Sequence, residues 1–262
     1  MLDIAIRAAR EAGAILLANL GRRIEISHKG PIDLVTEVDL ASERLIKEII
    51  STHYPRHEIL GEEDGLGGGG ADSGVRWIVD PLDGTTNYAH GYPCFCVSIA
   101  VERDGEVIIG VVYDPTRDEL FVAERGAGAT LNNRPIAVSP PRPLKQALLV
   151  TGFPYSISKE RFTNLGHFED FCLHGQAVRR DGSAALDLCY VACGRFDGFW
   201  ELALKPWDTA AGALLVAEAG GRVTNFGGER FDIYRPACVA SNAHIHDEML
   251  DVIRLRHHEE SD

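Results

Sequence analysis

Trp77-Ile78-Val79-Asp80-Pro81-Leu82-Asp83-Gly84-Thr85-Thr86-Asn87-Tyr88 is the stretch whose reading decides both fold and chemistry. An apolar run of strand composition leads straight into two aspartates, so a strand ends in anionic groups. Proline restricts the turn between them, which lets both carboxylates converge instead of alternating to opposite faces, and Gly84 lets backbone approach a ligand closely. Thr85 and Thr86 can then cap a following helix whose free N–H groups suit a phosphate. Taken alone, the same residues also read as an ordinary Asp-Pro turn capping a helix.

Two other acidic points share this placement. Gly61-Glu62-Glu63 follows the short apolar run Ile59-Leu60, and Trp207-Asp208 opens an alanine-rich helix over Thr209 to Glu218. Glu62-Glu63-Asp64 alone would pass for a solvated acidic edge, and Asp208 for a simple N-cap. Carboxylates gathered without nearby Lys or Arg repel one another and raise their own pKa values unless hard cations such as magnesium share them.

Around these points the chain reads as an α/β layered protein. Thr36, with Asp39 three residues on, predicts a capping-box start for a helix to about Ile50, ended by Tyr54-Pro55. Asp64 to Gly74 is rich in Gly and Asp and reads as a surface loop. Strands are predicted at Trp77-Val79, Phe95-Val101, Val107-Tyr113 and Glu119-Val122, with Arg103-Asp104-Gly105 as a hairpin turn. The second half alternates strands (Ala147-Val150, Gly198-Glu201, Cys238-Ala240) with helices near Ser183-Cys193, Thr209-Glu218 and Ile245-Leu255. With a boundary near Pro140-Pro143, residues 1–140 form an α+β part carrying Glu62 and the Asp80–Thr85 motif. Residues 141–262 form an α/β part carrying Glu201 and Asp208.

At 262 residues and 45% hydrophobic composition, the chain can bury a sizeable core. Its formal net charge of -13 repels polyanions, which disfavours nucleic acid as a partner, yet a bound divalent ion inverts the field in its own site. Leu2 to Leu20 has helical apolar spacing but carries Asp3, Arg7, Arg10 and Glu11, which argues against a signal peptide or a membrane span and for a cytoplasmic protein. The six cysteines contain no C-x-x-C pair and lie mostly in apolar stretches, so buried reduced thiols are expected.

Together, Gly-Glu-Glu at 61–63, Asp-Pro-Leu-Asp-Gly-Thr-Thr-Asn-Tyr at 80–88 and Trp-Asp-Thr-Ala-Ala-Gly at 207–212 resemble the signature motifs of the inositol monophosphatase family. Asp33-Leu-Val-Thr36-Glu-Val-Asp39, Gly182-Ser-Ala-Ala-Leu-Asp187 and Glu218-Ala-Gly-Gly221 extend the likeness across nearly the whole chain, in the same order. The resemblance implies a layered α-β-α-β-α sandwich, a homodimer, lithium sensitivity and two or three Mg2+ per active site. It implies that Glu62, Asp80 and the Leu82 carbonyl hold a first magnesium, and that Asp80, Asp83 and Asp208 hold a second. Glu62 and Thr85 would orient and deprotonate a metal-activated water, with Asp80 bridging the ions. Asp83, Gly84 and Thr85 would meet the substrate beside phosphorus, and Glu201 and the Ala184 amide would meet ring hydroxyls. Lys29 lies in a segment one residue shorter than in relatives.

The expected substrate is thus a small phosphorylated polyol or sugar. Inositol monophosphate is favoured by Thr86-Asn87-Tyr88, and a fructose-1,6-bisphosphatase or dual-specificity sugar phosphatase is the runner-up. A role of another class is regulatory binding in a transcription complex, which some bacterial members of the family are similar to. Gly65-Leu-Gly67-Gly-Gly-Gly70 matches a dinucleotide fingerprint formally but follows three acidic residues and opens no apolar helix. His244-Ile-His246 and His257-His258 read as surface histidines near a helix start and a chain end. Arg179-Arg180 reads equally as an anion-binding pair or as partners of acidic neighbours.

Overall fold

In the computed structural model, residues 1–22, 26–28, 34–69, 74–154, 157 and 163–257 are described. Helix α1 (Leu2–Asn19) buries Ala5, Ala8, Ala9 and Ala12 at helical spacing. The short strands β1 (Ile26–His28) and β2 (Leu34–Thr36) pair antiparallel. Lys29 and Asp33, between them, lie outside the described residues. Thr36 then caps α2 (Glu37–His53) through a capping box with Asp39, as the spacing predicts. These two helices pack side by side on one face of a large sheet.

That sheet is built from β3 (Glu58–Gly61), β4 (Gly65–Gly68), β5 (Val75–Asp83), β6 (Cys96–Arg103), β7 (Glu106–Asp114), β8 (Glu119–Glu124), β9 (Gly128–Leu131) and β10 (Arg134–Pro135). Its order is β10-β9-β8-β7-β6-β5-β3-β4, and only β3 and β5 run parallel. The one-turn helix α3 (Thr85–Ala89) follows β5. The hairpin at Asp104-Gly105 has positive φ at both residues (51° and 80°), the backbone a two-residue hairpin of this hand requires.

The later part of the chain supplies β11 (Leu148–Thr151), α4 (Leu165–His174), β12 (Ala177–Arg179), α5 (Ala184–Ala192), β13 (Gly198–Glu201), α6 (Pro206–Glu218), β14 (Arg222–Thr224), β15 (Cys238–Ser241) and α7 (His246–Arg254). A second sheet runs β12-β11-β13-β15-β14. Helices α5 and α6 are buried nearly all round and fill the space between the two sheets. On the outer face of the smaller sheet lie α4 and α7, around Phe171, Trp200 and Met249. The layers are therefore helix, sheet, helix, sheet, helix, as the motif resemblance implies. No helix among the described residues is long and apolar enough to cross a membrane.

Several local readings need correction. The predicted loop from Asp64 contains β4, an edge strand paired to β3, because glycines without side chains can still complete a backbone ladder. The last glycine of the formal dinucleotide fingerprint, Gly70, is outside the described residues, and among the described residues no helix lies between β4 and β5. Helix α6 starts at Pro206, three residues before its predicted start, since proline suits the first helical turn. His246 is not a surface residue: it is fully buried between the hydroxyls of Thr224 and Ser241, and burial lowers its pKa to about 4. Cysteines 94, 96, 189 and 238 are buried free thiols, as expected, but Cys172 is exposed on α4.

Candidate active site

Strand β5 does not stop at its proline. It continues to Asp83, and its pairing with β6 shifts register between Asp80 and Asp83. Pro81 has no N–H for the ladder, so the irregularity falls there and the two carboxylates need not point to opposite faces. Asp80 is 2% exposed. Its Oδ1 accepts a bond from the Leu82 N–H at 3.0 Å. Burial raises its pKa well above the usual range, and the charges of Glu62, Asp83 and Asp208 raise it further. Those three names are the ones the motif reading selects for metal binding, from three separate segments of the chain.

Asp83 is held more closely. Its Oδ2 accepts from the Ser183 hydroxyl at 2.7 Å and the Ala185 N–H at 2.8 Å. Burial raises its pKa and these bonds oppose the rise. The start of α5 therefore holds Asp83 through Ser183 and Ala185, on either side of Ala184. Asp208 is the third residue of α6, not its N-cap. Its Oδ2 accepts from the Lys205 N–H at 2.7 Å, and burial followed by the charge of Asp83 raises its pKa well above normal. Both Asp83 and Asp208 keep some solvent contact, whereas Asp80 and Glu201 are closed over.

Gly84 begins α3 at φ 95°, and a Cβ there would fall 2.8 Å from the Cys94 carbonyl, so only glycine fits. Glycine, not Thr85, is thus the cap residue, and Thr85 is the first helical residue. The Thr85 hydroxyl lies 3.1 Å from Asp39 Oδ1 and 3.0 Å from the Leu82 carbonyl, so its proton is shared between them. Glu62 follows β3, its N–H bonded to the Val79 carbonyl beside Asp80. Glu201 ends β13, and burial, then Asp208 and Asp83, push its pKa well up.

The sequence reading gave three contributors, Asp39, Ser183 and Asn87, no such role in the site. Asp39 appears there as a helix cap, which it is, but its second oxygen takes the Thr85 hydroxyl, and burial raises its pKa. Ser183 is both the cap of α5 and a donor to Asp83. The Asn87 amide bridges Cys94, Asp181 and Gly182 carbonyls, tying α3 to the approach of α5. The charge of Arg180 opposes the raised pKa values of Glu201 and the buried Asp187. Polar residues adjacent to motif residues, such as Ser183 beside Ala184, were the available signal. The pairing of Asp39 with Thr85 spans 46 positions and leaves no local trace.

The donor set fits hard divalent cations: oxygen donors only, anionic, gathered where each raises the next. Among the described residues, no three histidine, cysteine or carboxylate side chains stand close enough to form a finished metal cage. Each aspartate has one oxygen tied to backbone N–H, which orients it without exhausting its acceptors. A cavity of about 560 Å³ between α6, the β6–β7 hairpin and Phe231-Tyr234 is a different place, and Glu106 there is paired to Arg125 and Arg230.

Comparison with known proteins identifies the family. A model of the "Inositol monophosphatase family" matches residues 1–259. The Nus factor SuhB of Haemophilus influenzae is 47% identical over 256 residues, covering 97% of this chain and 96% of that protein. The inositol-1-monophosphatase of Synechocystis is 47% identical over 249 residues, 95% of this chain and 86% of that one. The solved inositol monophosphatase of Anabaena superposes with a TM-score of 0.88 at 46% identity, over 97% of this chain and 95% of its own. The chain belongs to the inositol monophosphatase family.

Proposed function

We propose that this protein is a magnesium-dependent phosphomonoesterase that hydrolyses inositol monophosphate to inositol and phosphate, as a cytoplasmic homodimer. The observation that carries the reading is Asp80, buried at 2% exposure, its pKa raised by burial and then by the charges of Glu62, Asp83 and Asp208. Four such carboxylates are costly unless a divalent ion shares them. Glu62, Asp80 and the Leu82 carbonyl would hold one magnesium, and Asp80, Asp83 and Asp208 another, with room in the reading for a third. Bound magnesium supplies Lewis acidity at the phosphoryl oxygens, activation of water and charge neutralisation at the leaving oxygen.

The chain's own groups do the rest. Glu62 and Thr85 orient the attacking water, and Thr85 donates its own proton toward Asp39, leaving a lone pair to accept one from water. The new P–O bond forms as the ester P–O bond breaks; Glu62, with Thr85, takes the proton that the attacking water gives up, and the departing alkoxide takes one from a solvent water to become the free alcohol. Backbone N–H groups of Gly84 and Thr85, at a helix start without intrahelical partners, hold phosphate oxygens beside Asp83. Glu201 accepts from a hydroxyl of the alcohol, and the backbone at Ala184 borders it. Residues 1–140 thus bring the nucleophile side, and 141–262 bring Asp208 and the alcohol side. A fructose-1,6-bisphosphatase or dual-specificity sugar phosphatase would share this core and differ only on the alcohol side.

A second reading comes from the relatives' names. Several proteins 44–48% identical to this chain are called Nus factor SuhB, which favours a binding role in a transcription complex beside the catalytic one. One experiment orders these readings: kcat/KM with magnesium for inositol 1-phosphate, fructose 1,6-bisphosphate, NADP and adenosine 3',5'-bisphosphate. Preference for inositol 1-phosphate supports the proposal; turnover undiminished in chelator, or none on any ester, refutes it.

A further inference from the structure

Helix α2 presents three buried polar residues on one face, Asp39, Ser42 and Glu43, at the i, i+3, i+4 spacing that brings side chains together. Each bonds a different segment of the candidate site. Asp39 takes the Thr85 hydroxyl. The Ser42 hydroxyl donates to the Pro81 carbonyl at 2.9 Å, between Asp80 and Leu82. Glu43, only 1% exposed, accepts the N–H groups of Glu63 at 2.9 Å and Asp64 at 3.1 Å, while Lys47 one turn later approaches it at 2.6 Å.

From these contacts we infer that Glu43 is a positioning residue, which sets the direction of the Glu62 carboxylate without touching the ion or the substrate. The inference rests on the reading of Glu62 as part of a divalent-cation site. On one side Glu62 is fixed by its N–H bond to the Val79 carbonyl, and on the other the next two amides both converge on Glu43. Gly61, just before it, lies so close that a Cβ there would stand 2.7 Å from the Glu43 carboxyl. The turn therefore has three consecutive attachments, two of them charge-assisted bonds to a single carboxylate. A carboxylate can accept both amides at once. An amide in its place accepts one and turns an N–H2 group toward the other, so the turn must reorient. Adding a methyl at Gly61 pushes on the same contact from the opposite side.

The test titrates Mn2+ into the chelator-treated full-length protein, counting free ion by electron paramagnetic resonance, for wild type, Glu43→Gln and Gly61→Ala. A melting curve in chelator accompanies each. The expected result is Mn2+ binding weakened by about 10- to 100-fold in both variants, as for supporting residues around metal sites, with a cooperative melt retained. Phosphatase activity should show the same split, with half-saturating magnesium rising far more than kcat at saturation falls. Mn2+ affinity within about threefold of wild type in the variants that melt cooperatively overturns the inference, because supporting residues cost more than that. Loss of cooperative melting in both variants also overturns it, since Glu43 would then be a folding residue. Absence of Mn2+ binding by wild type would instead overturn the proposed function on which the inference stands.

Discussion

The same sheet carries two Asp-Pro steps, Asp80-Pro81 within the last part of β5 and Asp114-Pro115 at the end of β7. Both strands run antiparallel to β6 and so point the same way. Both aspartates are buried, at 2% and 0% exposure. Their company differs. Asp114 accepts from the N–H and hydroxyl of Thr116, the N–H of Arg117 and the Arg117 guanidinium at 2.7 Å. Asp80 has one backbone bond and three carboxylates whose charges act on it. Burial alone therefore does not mark a carboxylate as functional. A buried charge surrounded by donors closes a turn, and one surrounded by like charges is kept for a cation from outside.

The largest effect should come from exchanging the two. Asp80→Asn keeps the acceptor for the Leu82 N–H and removes repulsion, so its melting point in chelator should hold or rise while kcat/KM falls by on the order of 10⁴, about 5.5 kcal/mol of lost transition-state stabilisation. Asp114→Asn should do the reverse, costing about 2–3 kcal/mol of stability through weakened charge-assisted bonds, with activity per folded molecule within a few-fold of normal. Variants that lose stability and activity together in both cases would erase the distinction.

Asp208→Asn sharpens it from a different segment. The amide oxygen can still accept from the Lys205 N–H, so α6 should start normally, while kcat at saturating magnesium drops by on the order of 10³, about 4 kcal/mol. A variant that unfolds in chelator, or one with near-normal turnover, would show that Asp208 belongs with Asp114. The smallest effect concerns the alcohol side. Glu201→Gln should change the ratio of kcat/KM for a polyol phosphate over a small aryl phosphate by about tenfold, since the contact lies on the alcohol and not on phosphorus. Equal losses on both esters would remove Glu201 from that role.

The four strands β5 to β8 of the large sheet and the three acidic segments were legible in the sequence, because hydrophobic period and punctuation are local, whereas the layer order came from the resemblance of the motifs. The Asp80–Thr85 motif was legible for the same reason: its proline and glycine sit beside its carboxylates. The dual role of Asp39 was not, since a capping box and a bond to Thr85 use the two oxygens of one side chain. His246 was misread because a polar residue at a helix start is ordinarily exposed, and only the folded chain brings Thr224 and Ser241 to its two nitrogens. The early start of α6 escaped because Lys205 is a poor N-cap by side chain, and Asp208 supplies the bond that an N-cap side chain would otherwise make.

The central claim is that Asp80 is buried among the charges of Glu62, Asp83 and Asp208, with Glu201 beside the last two, and that a divalent cation relieves this repulsion. The most direct measurement is the melting temperature of the chelator-treated protein against pH, with and without magnesium, for wild type and Asp80→Asn. Burial first, and neighbouring carboxylates after it, raise Asp80, Asp208 and Glu201 above their ordinary values, 3.8 for aspartate and 4.5 for glutamate. A group raised in the folded state holds its proton more tightly there, so its stabilisation is complete below the ordinary value and is lost as pH climbs through the raised one. The melting temperature in chelator should therefore fall from about pH 4 upward, magnesium should restore it most at the alkaline end, and Asp80→Asn should flatten the slope. A slope that is unchanged in Asp80→Asn, together with no magnesium-dependent gain at any pH, would contradict the account.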